Sequence, residues 1–279
     1  MRNIGVDIGG TSIKAGLYEN GLLLMKTSSL TPKEGRESVF AALYRLLDLL
    51  GVKDVETIGI VSAGEIDEKR GVSLRTVNIP GWSGAPIKET IERRYGIPTS
   101  VDNDAIGALI GECHFLPGYS NAAIITFGTG IGYARLYGGH VDRETRIEWG
   151  HRELVKGGRV CGCGKNGCVE TYLSASALAK EATTAYSQDV CAQELFGLYE
   201  RGEEKAKAIV SRFKENLNAF LNLVLTEDKP DIMILDGGLM NSQEQIRKLI
   251  TISPEKYCFG SLHNEAGMFG AMLLGSKQR

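Results

Sequence analysis

Apolar segments separated by glycine-containing turns open the chain, and this pattern predicts a group of strands followed by a helix. Residues 4–8 are apolar and mostly β-branched, and returning strands are expected at residues 12–18 and 22–27. From residue 36 to residue 50 the apolar side chains recur with helical spacing on one side, at Val39, Leu43, Leu46, Leu47 and Leu50. The first part of the chain therefore predicts a sheet covered by an amphipathic helix.

The pattern continues with short buried strands at residues 58–61 and 98–101 and with helices at residues 85–95 and from residue 103. The stretch from residue 62 through Gly81 is rich in glycine and proline and is expected to be a loop. We expect this α/β domain to cover residues 1–118, because Pro117-Gly118 breaks the preceding helix.

The second half repeats the opening pattern. A strand at residues 122–126, a Gly/Thr turn and a returning strand at residues 131–137 match the first hairpin in kind. A mostly helical stretch at residues 174–227, a strand at residues 232–235 and a final helix from about residue 265 complete the chain. The repetition predicts a second α/β domain over residues 119–279, with two similar domains facing one cleft.

Composition and charge narrow the class of protein. The 279 residues are 43% hydrophobic and 24% charged with a net charge of -2, which is typical of a globular protein. No basic patch favours nucleic acid binding. No apolar run approaches the roughly 20 residues that span a bilayer, and no signal-peptide pattern is present. We therefore expect no nucleic acid or membrane partner and a cytoplasmic location.

Three of the six cysteines lie within eight residues and suggest a metal site. The arrangement His151-x9-Cys161-x-Cys163-x4-Cys168 offers one imidazole and three thiols, a common composition of a closed structural Zn²⁺ site. Free thiols without metal and a redox role are the alternatives. The remaining cysteines, Cys113, Cys191 and Cys258, are expected to be ordinary small side chains.

Three glycine-containing turns could approach phosphate groups. The segment Asp7-Ile8-Gly9-Gly10-Thr11 ends a strand and offers backbone N–H groups, a hydroxyl and a carboxylate for Mg²⁺. Gly128-Thr129-Gly130 repeats this chemistry in the second half, and Gly237-Gly238 follows a later strand. Each alone could be a plain turn, but together they favour a nucleotide cleft.

Carboxylates stand at positions that suit sugar chemistry. Asp102-Asn103-Asp104 precedes a helix, where one such residue is explained by capping but three are more than capping needs. A carboxylate here could accept the proton of an attacking hydroxyl. Glu148 and Glu170 flank the cysteine cluster, and could bind sugar hydroxyls or be solvated surface charge.

These motifs, in this order, resemble the ROK family (repressor, open reading frame, kinase) of sugar kinases. Asp7-Ile-Gly-Gly-Thr11 looks like its first phosphate motif, Asn103-Asp104 like its catalytic pair, and Gly128-Thr-Gly like its second phosphate motif. The most specific match is Glu148-x-Gly-His151 followed by Cys161-Gly-Cys-Gly-x-x-Gly-Cys168-x-Glu170. Ser62–Asp67 and Asn78-Ile-Pro-Gly-Trp82 resemble the sugar-side segments.

The resemblance implies a duplicated actin-like, hexokinase-like (ribonuclease H-like) α/β fold, with the final helix, about residues 265–277, packing back on the N-terminal domain. It implies phosphorylation by ATP of a hexose or N-acetylhexosamine, with Asp104 as general base. Sugar ligands would be Asn78, Asn103, Asp104, Glu148, His151 and Glu170. The residues serving ATP and Mg²⁺ would be Asp7, Gly9, Gly10, Thr11, Gly128, Thr129, Gly130, Gly237 and Gly238. A homodimer is expected only on this ground.

The chain departs from the family pattern at Ala63, Ile147 and Tyr133-Ala134, where Pro, Gly and a Gly pair are usual, and at Ile106, where Asn is usual. These positions flank the expected sugar and phosphate segments, so the sugar stays open. Glucose and N-acetylmannosamine are the first candidates, with fructose or another hexose as alternatives. A non-catalytic sugar-binding protein is a second hypothesis. A transcriptional repressor is not expected, because only six residues precede Asp7.

Overall fold

The computed structural model describes residues 1–116, 118–144 and 148–276 and divides the chain into two compact units. One unit comprises Met1–Pro117 and Glu265–Arg279, and the other comprises Gly118–Asn264. Each unit contains a five-stranded sheet and a hydrophobic core of its own.

The described part of the first unit contains eight strands and three helices ahead of its C-terminal segment. The strands are β1 (Arg2–Ile8), β2 (Ser12–Glu19), β3 (Leu22–Leu30), β4 (Val55–Ser62), β5 (Glu65–Asp67), β6 (Val72–Arg75), β7 (Ala85–Pro86) and β8 (Thr99–Asn103). The helices are α1 (Arg36–Leu50), α2 (Ile87–Tyr95) and α3 (Asp104–Phe115). The large sheet has the order β3-β2-β1-β4-β8, with antiparallel pairing up to β1 and parallel pairing beyond it.

Helix α1 forms because its apolar side chains recur every three or four residues and can all face one core. The five positions predicted to share a face are all buried. Strand β1 lies at the centre of the sheet, and its Ile4, Val6 and Ile8 are fully buried. The central position of β1 brings the residues that follow it to the edge of the sheet where β4 and β8 also end.

The second unit repeats this topology. Its strands are β9 (Ala122–Phe127), β10 (Ile131–Tyr137), β11 (His140–Val141), β12 (Ile232–Asp236) and β13 (Tyr257–Phe259). Its helices are α4 (Glu170–Leu173), α5 (Ala175–Tyr186), α6 (Ala192–Glu200), α7 (Glu204–Glu227) and α8 (Gln243–Arg247). The order β11-β10-β9-β12-β13 again has an antiparallel part followed by two parallel pairings. The prediction of a duplicated α/β fold is confirmed.

The C-terminal helix α9 (Ala266–Ser276) belongs to the first unit and packs against β1, β4 and α3. Glycines make the packing unusually close. A Cβ atom added to Gly59 of β4 would lie 1.7 Å from the carbonyl oxygen of Ala271. One added to Gly270 would lie 1.7 Å from the carbonyl oxygen of Gly107 in α3. Backbone therefore meets backbone on two sides of α9.

The prediction of a loop from residue 62 through Gly81 is partly wrong. It contains β5 and β6, and β7 completes a small three-stranded sheet with them. The helix predicted from residue 85 begins at Ile87, because Ala85 and Pro86 pair with β6. A residue before proline favours extended backbone, which explains the late helix start.

Within the described parts of the chain, none of the helices has both the length and the apolar character required to cross a membrane.

Candidate active site

The first glycine-containing loop connects β1 to β2 and accepts hydrogen bonds from Thr31, the residue that follows β3. The amide of Gly9 donates to the carbonyl of Ser12 at 3.0 Å, which closes the turn. The Thr31 hydroxyl donates to the carbonyl of Gly9 at 2.7 Å, and its amide donates to the carbonyl of Thr11 at 3.0 Å. The loop is therefore fixed by bonds to its carbonyl oxygens.

Two glycines, one in this loop and one in α9, allow close packing around the end of β1. A Cβ atom on Gly10 would lie 2.8 Å from the Cβ atom of Asn78, so the loop and the Asn78 segment are in direct contact. A Cβ atom on Gly267, in the first turn of α9, would lie 2.8 Å from the Asp7 carboxylate. Glycine at position 267 thus leaves the half-buried carboxylate of Asp7 room beside the helix.

Asn103 caps helix α3, and Asp104 is the first residue of that helix. The side-chain oxygen of Asn103 accepts from the amides of Ala105 and Ile106 at 2.9 and 3.3 Å, and its side-chain nitrogen donates to the carbonyl of Gly64 at 2.8 Å. The Asp104 carboxylate accepts from the amide of Ala105 at 2.9 Å. A helix N-terminus stabilises negative charge, so this position favours an ionised carboxylate.

The second glycine-containing loop connects β9 to β10 and is bound to Glu170. The Glu170 carboxylate accepts from the amide of Ile131 at 3.1 Å. A Cβ atom on Gly130 would lie 2.3 Å from the same carboxylate, so a larger residue there would displace Glu170 from this position. The amide of Gly128 donates to the carbonyl of Gly130 at 2.9 Å. Glu170 therefore holds this loop through a hydrogen bond and close packing.

Gly237 and Gly238 follow β12 in the second unit and differ in their surroundings. Gly237 has a φ of 96°, and a Cβ atom there would lie 2.7 Å from the backbone of Phe127 at the end of β9. A Cβ atom added to Gly238 would come no closer than 3.9 Å to another group, the side-chain oxygen of Asn264, so there is room beside its backbone. Gly237 is needed for the turn, and Gly238 is the position where a ligand could approach.

Glu148 and His151 lie at the two ends of a tight turn whose middle is buried. The 3-10 turn Trp149–His151 closes with a bond from the His151 amide to the Glu148 carbonyl at 3.0 Å. Trp149 is fully buried, whereas Glu148 is exposed. The buried indole therefore fixes the segment that presents both polar side chains.

Asp228 helps to hold this segment through a hydrogen bond from the indole of Trp149, a contact that the sequence did not predict. Its carboxylate accepts from the Trp149 indole at 2.9 Å, from Arg135 at 3.0 Å and from the hydroxyl of Tyr133. Burial, and then the hydrogen bond to Asp228, raise the pKa of Tyr133 above its usual range, so the phenol stays a donor. Nothing in the local sequence connects Asp228, at the end of α7, with Trp149.

The four predicted zinc ligands converge. The ligand atoms of His151, Cys161, Cys163 and Cys168 all lie within 4.8 Å of one another. The sulfurs of Cys163 and Cys168 are 3.7 Å apart, and Nδ1 of His151 lies 3.7 Å from the sulfur of Cys161. Zn–S bonds of about 2.3 Å place two sulfurs of a tetrahedral site about 3.8 Å apart. The cluster therefore has the size of a Zn²⁺ site.

The chemistry of the cluster also favours a cation. Burial, and then the neighbouring Cys163 and Cys161 sulfurs, raise the pKa of Cys168 to about 12. A bound cation supplies the positive charge that lets such thiols ionise. Because Nδ1 of His151 faces the sulfurs, the second ring nitrogen is left for another partner.

A pair of arginines fastens the cysteine loop to the helices of the second unit. Arg159 donates to the carbonyl of Thr171 at 2.9 Å and forms an ion pair with Glu181 of α5 at 2.5 Å. Arg212 of α7 binds the same carboxylate. Partial burial alone would raise the pKa of Glu181, but the two arginines outweigh it and lower the pKa. The loop is therefore anchored by charge as well as by its turns.

Two departures from the family pattern have a structural explanation. The amide of Ala63 donates to the carbonyl of Ile8 at 2.9 Å, a bond that a proline could not make. The hydroxyl of Tyr133 is satisfied by Asp228. Of the other two departures, Ile147 lies outside the described residues, and Ile106 lies in the first turn of α3, where its amide donates to the side-chain oxygen of Asn103 at 3.3 Å.

Comparison with known proteins gives a consistent result. The ROK family model matches residues 3–278. An N-acetyl-D-glucosamine kinase of Escherichia coli O139:H28 is 30% identical over 257 residues, covering 85% of this chain and 84% of that protein.

Two solved structures cover nearly the whole chain. The crystal structure of a ROK family glucokinase from Streptomyces griseus, in complex with glucose and AMPPNP, has a TM-score of 0.87 at 27% identity and covers 99% of this chain and 100% of its own. A ROK hexokinase from Thermus thermophilus has a TM-score of 0.77 at 34% identity and covers 99% and 98%. The resemblance drawn from the motifs is confirmed, and the chain is a member of the ROK family.

Proposed function

We propose that this chain is an ATP-dependent sugar kinase that phosphorylates a hexose or an N-acetylhexosamine at its 6-hydroxyl. The observation that carries the proposal is the Asp104 carboxylate at the N-terminus of α3, in a chain that aligns along most of its length with three sugar kinases. The Gly/Thr loops of both units supply the backbone donors that phosphate recognition requires.

In this proposal Asp104 accepts the proton of the sugar hydroxyl that attacks the γ-phosphorus of ATP. The sugar is oriented by Asn78, Asn103, Glu148, His151 and Glu170. Gly9 and Gly128 use their amides to close the two glycine-containing turns. The amides of Gly10, Thr11, Thr129 and Gly130 and the two threonine hydroxyls bind phosphate oxygens in this proposal, and Gly237 and Gly238 lie against the adenosine. Asp7 would hold Mg²⁺, directly or through water, and a bound Mg²⁺ would neutralise part of the phosphate charge.

The identity of the sugar is tested with a coupled ADP-release assay over glucose, N-acetylglucosamine, N-acetylmannosamine, mannose and fructose. The relatives are named for N-acetyl-D-glucosamine, for glucose and for hexose, so activity is expected with at least one 2-acetamido or 2-hydroxy hexose of this panel. Mass and NMR analysis of the product checks that the phosphate is on the 6-oxygen. Purified chain that binds a sugar but releases no ADP with any of them would instead support the non-catalytic hypothesis.

We also propose that His151, Cys161, Cys163 and Cys168 hold a structural Zn²⁺ ion that fixes the loop between Glu148 and Glu170. Four protein ligands leave no open position, so the ion supplies rigidity and no chemistry. The turns within the loop agree with this role: the amide of Cys161 donates to the carbonyl of Lys165 at 2.8 Å, and the amide of Gly164 donates to the carbonyl of Cys161 at 3.0 Å.

Replacing Cys163 by Ser is expected to remove the bound metal, because a hydroxyl is a poor ligand compared with a thiolate. Metal analysis after gel filtration with a chelator should find about one Zn²⁺ per wild-type chain and much less in Cys163→Ser, since closed sites bind one ion. The KM for sugar should rise more than the KM for ATP, because Glu148, His151 and Glu170 lose their common frame.

The matched control is Cys191→Ser, at an exposed helix N-cap where serine is a preferred residue. This variant should keep its zinc and its melting temperature. Equal zinc content in Cys163→Ser and Cys191→Ser would contradict the proposed site.

A further inference from the structure

Lys33 lies in the loop between β3 and α1, and its ammonium group binds two segments that are far apart in the chain. Its Nζ donates to the carbonyl oxygen of Gly10 at 2.5 Å and to that of Asn78 at 2.9 Å. Gly10 belongs to the loop proposed to bind phosphate, and Asn78 to the segment proposed to bind sugar. The cation therefore lies where these two segments meet.

The position of Lys33 is set by bonds of its own loop to the same phosphate loop. Thr31, two residues earlier, donates to the carbonyl of Gly9 through its hydroxyl and to that of Thr11 through its amide. The segment of residues 31–33 thus runs along the whole Gly9–Thr11 turn. Although the Lys33 side chain is exposed, its backbone is held beside the turn.

The charge of Lys33 is bonded to carbonyl oxygens, and over the ranges that the structure describes its ammonium group forms no salt bridge with a carboxylate. The neighbouring Glu34 carboxylate accepts from the Lys33 backbone amide at 3.0 Å. Carbonyl oxygens carry only a partial negative charge, whereas a phosphate oxygen carries ionic charge and attracts an ammonium group more strongly at the same distance. A phosphate oxygen near Gly10 would therefore be a better partner for Nζ than the carbonyls are.

We propose that Lys33 is a further catalytic residue, whose Nζ binds the γ-phosphoryl group of ATP as it passes to the sugar. The inference rests on the kinase function proposed above. In the transfer, the sugar oxygen forms a bond to the γ-phosphorus and the bond from that phosphorus to the β–γ bridging oxygen breaks. The hydroxyl proton goes to Asp104, and ADP carries away the electron pair of the broken bond. Lys33 keeps its proton and donates hydrogen bonds to the phosphoryl oxygens, where charge develops.

The test compares Lys33→Met, which keeps the length but loses the charge, with Lys33→Arg and with Lys69→Met. Lys69 is an exposed lysine of the same unit, outside the residues assigned to the site. The kcat of Lys33→Met is expected to fall by about 10²-fold, the scale for losing one donor to a developing negative charge. Lys33→Arg should recover part of this loss, and Lys69→Met should behave as wild type.

Nucleotide binding separates a contact with the γ-phosphoryl group from a role in bracing the two loops. Calorimetry with ATP and ADP, in the presence of Mg²⁺, should show that Lys33→Met loses the preference of the wild-type chain for ATP, while ADP affinity changes little. A variant that loses ADP and sugar affinity to the same degree as ATP affinity would have a bracing role only, and the proposal would be wrong.

The binding measurement also distinguishes failure of this inference from failure of the kinase proposal. A wild-type chain that prefers ATP to ADP but phosphorylates none of the sugars would contradict the kinase function, and Lys33 would then be judged by the nucleotide preference alone. An unchanged ATP-to-ADP affinity ratio in Lys33→Met would overturn the assignment of Lys33, whether or not the chain turns over sugar.

Discussion

Replacing Asp104 by Asn is expected to lower kcat by about 10²–10⁴-fold, the range that general acid–base catalysis contributes. Asparagine has the same shape and can still accept the hydrogen bond that the Ala105 amide donates to residue 104 at 2.9 Å. The start of α3 should therefore remain intact. What the variant loses is the carboxylate that accepts the proton of the sugar hydroxyl, so the chemical step should slow while the sugar still binds.

The measurement is steady-state turnover together with the sugar dissociation constant, obtained by calorimetry on the same preparation. Asp48→Asn is the matched control, because Asp48 is an aspartate of the same unit whose contacts are with Tyr95 and Arg94 at the surface. It should retain wild-type turnover. Near-normal turnover in Asp104→Asn would remove Asp104 as the base, and a large loss of sugar affinity would make it chiefly a binding residue.

The elements of the fold could be predicted because their signals are local. Strands β1 and β2 are short apolar segments separated by a glycine turn, and the same pattern at β9 and β10 predicted a second domain of the same fold. Helix α1 was predicted from apolar spacing, and its five apolar positions are buried together. Periodicity reports which face of an element is buried, and this is enough to identify a duplicated α/β fold.

The parts that were missed depend on contacts between residues distant in the sequence. Strands β5 and β6 are three and four residues long and pair with each other, and β7 joins them from further along the chain, so no single segment shows the sheet. Asp228 follows Trp149 by 79 residues, and Lys33 precedes Asn78 by 45. A charged residue at such a position cannot be told from a solvated surface residue until the fold brings its partner to it.

The candidate site divides in the same way. The cysteine spacing was distinctive enough to predict a group of four ligands, and the structure brings their ligand atoms together. The roles proposed for the glycine loops, Asp104 and the sugar ligands stay predictions, as does the homodimer. For Asn103 the structure shows a capping role, since both ends of its side-chain amide are bonded to the backbone.

The second large effect concerns stability and follows from the close approach of α9 to the sheet. Replacing Gly59 by Ala would place a methyl group 1.7 Å from the carbonyl oxygen of Ala271 and 2.5 Å from its carbonyl carbon. Both are backbone atoms of a helix that is packed on its other side against Gly107 of α3. No side chain can rotate away to relieve the overlap, so α9 itself would have to move.

Overpacking of a core usually costs about 1–3 kcal/mol and occasionally more. The loss of unfolding free energy in Gly59→Ala should exceed the middle of that range, because the overlapping atoms are backbone and the whole helix must shift. In a domain of this size each kcal/mol lowers the melting temperature by roughly 2–4 °C. Calorimetric or circular-dichroism melting should therefore show a clear decrease. Turnover should fall as well, because the first turn of α9 contains Gly267, which lies against the Asp7 carboxylate.

Gly197→Ala is the informative control because it makes the same chemical change where there is room. Gly197 lies inside α6, and the nearest atom to an added Cβ is the end of the flexible Arg201 side chain at 3.5 Å. Alanine is favoured over glycine in a helix by about 0.8–1.0 kcal/mol, so this variant should melt at or above the wild-type temperature. Replacing glycine by alanine lowers the entropy of the unfolded chain at both sites, and this alone would stabilise both variants. Opposite shifts in melting temperature would therefore attribute the loss at position 59 to the α9 contact. Similar shifts at both positions would show that α9 does not approach β4 as closely as the structure has it.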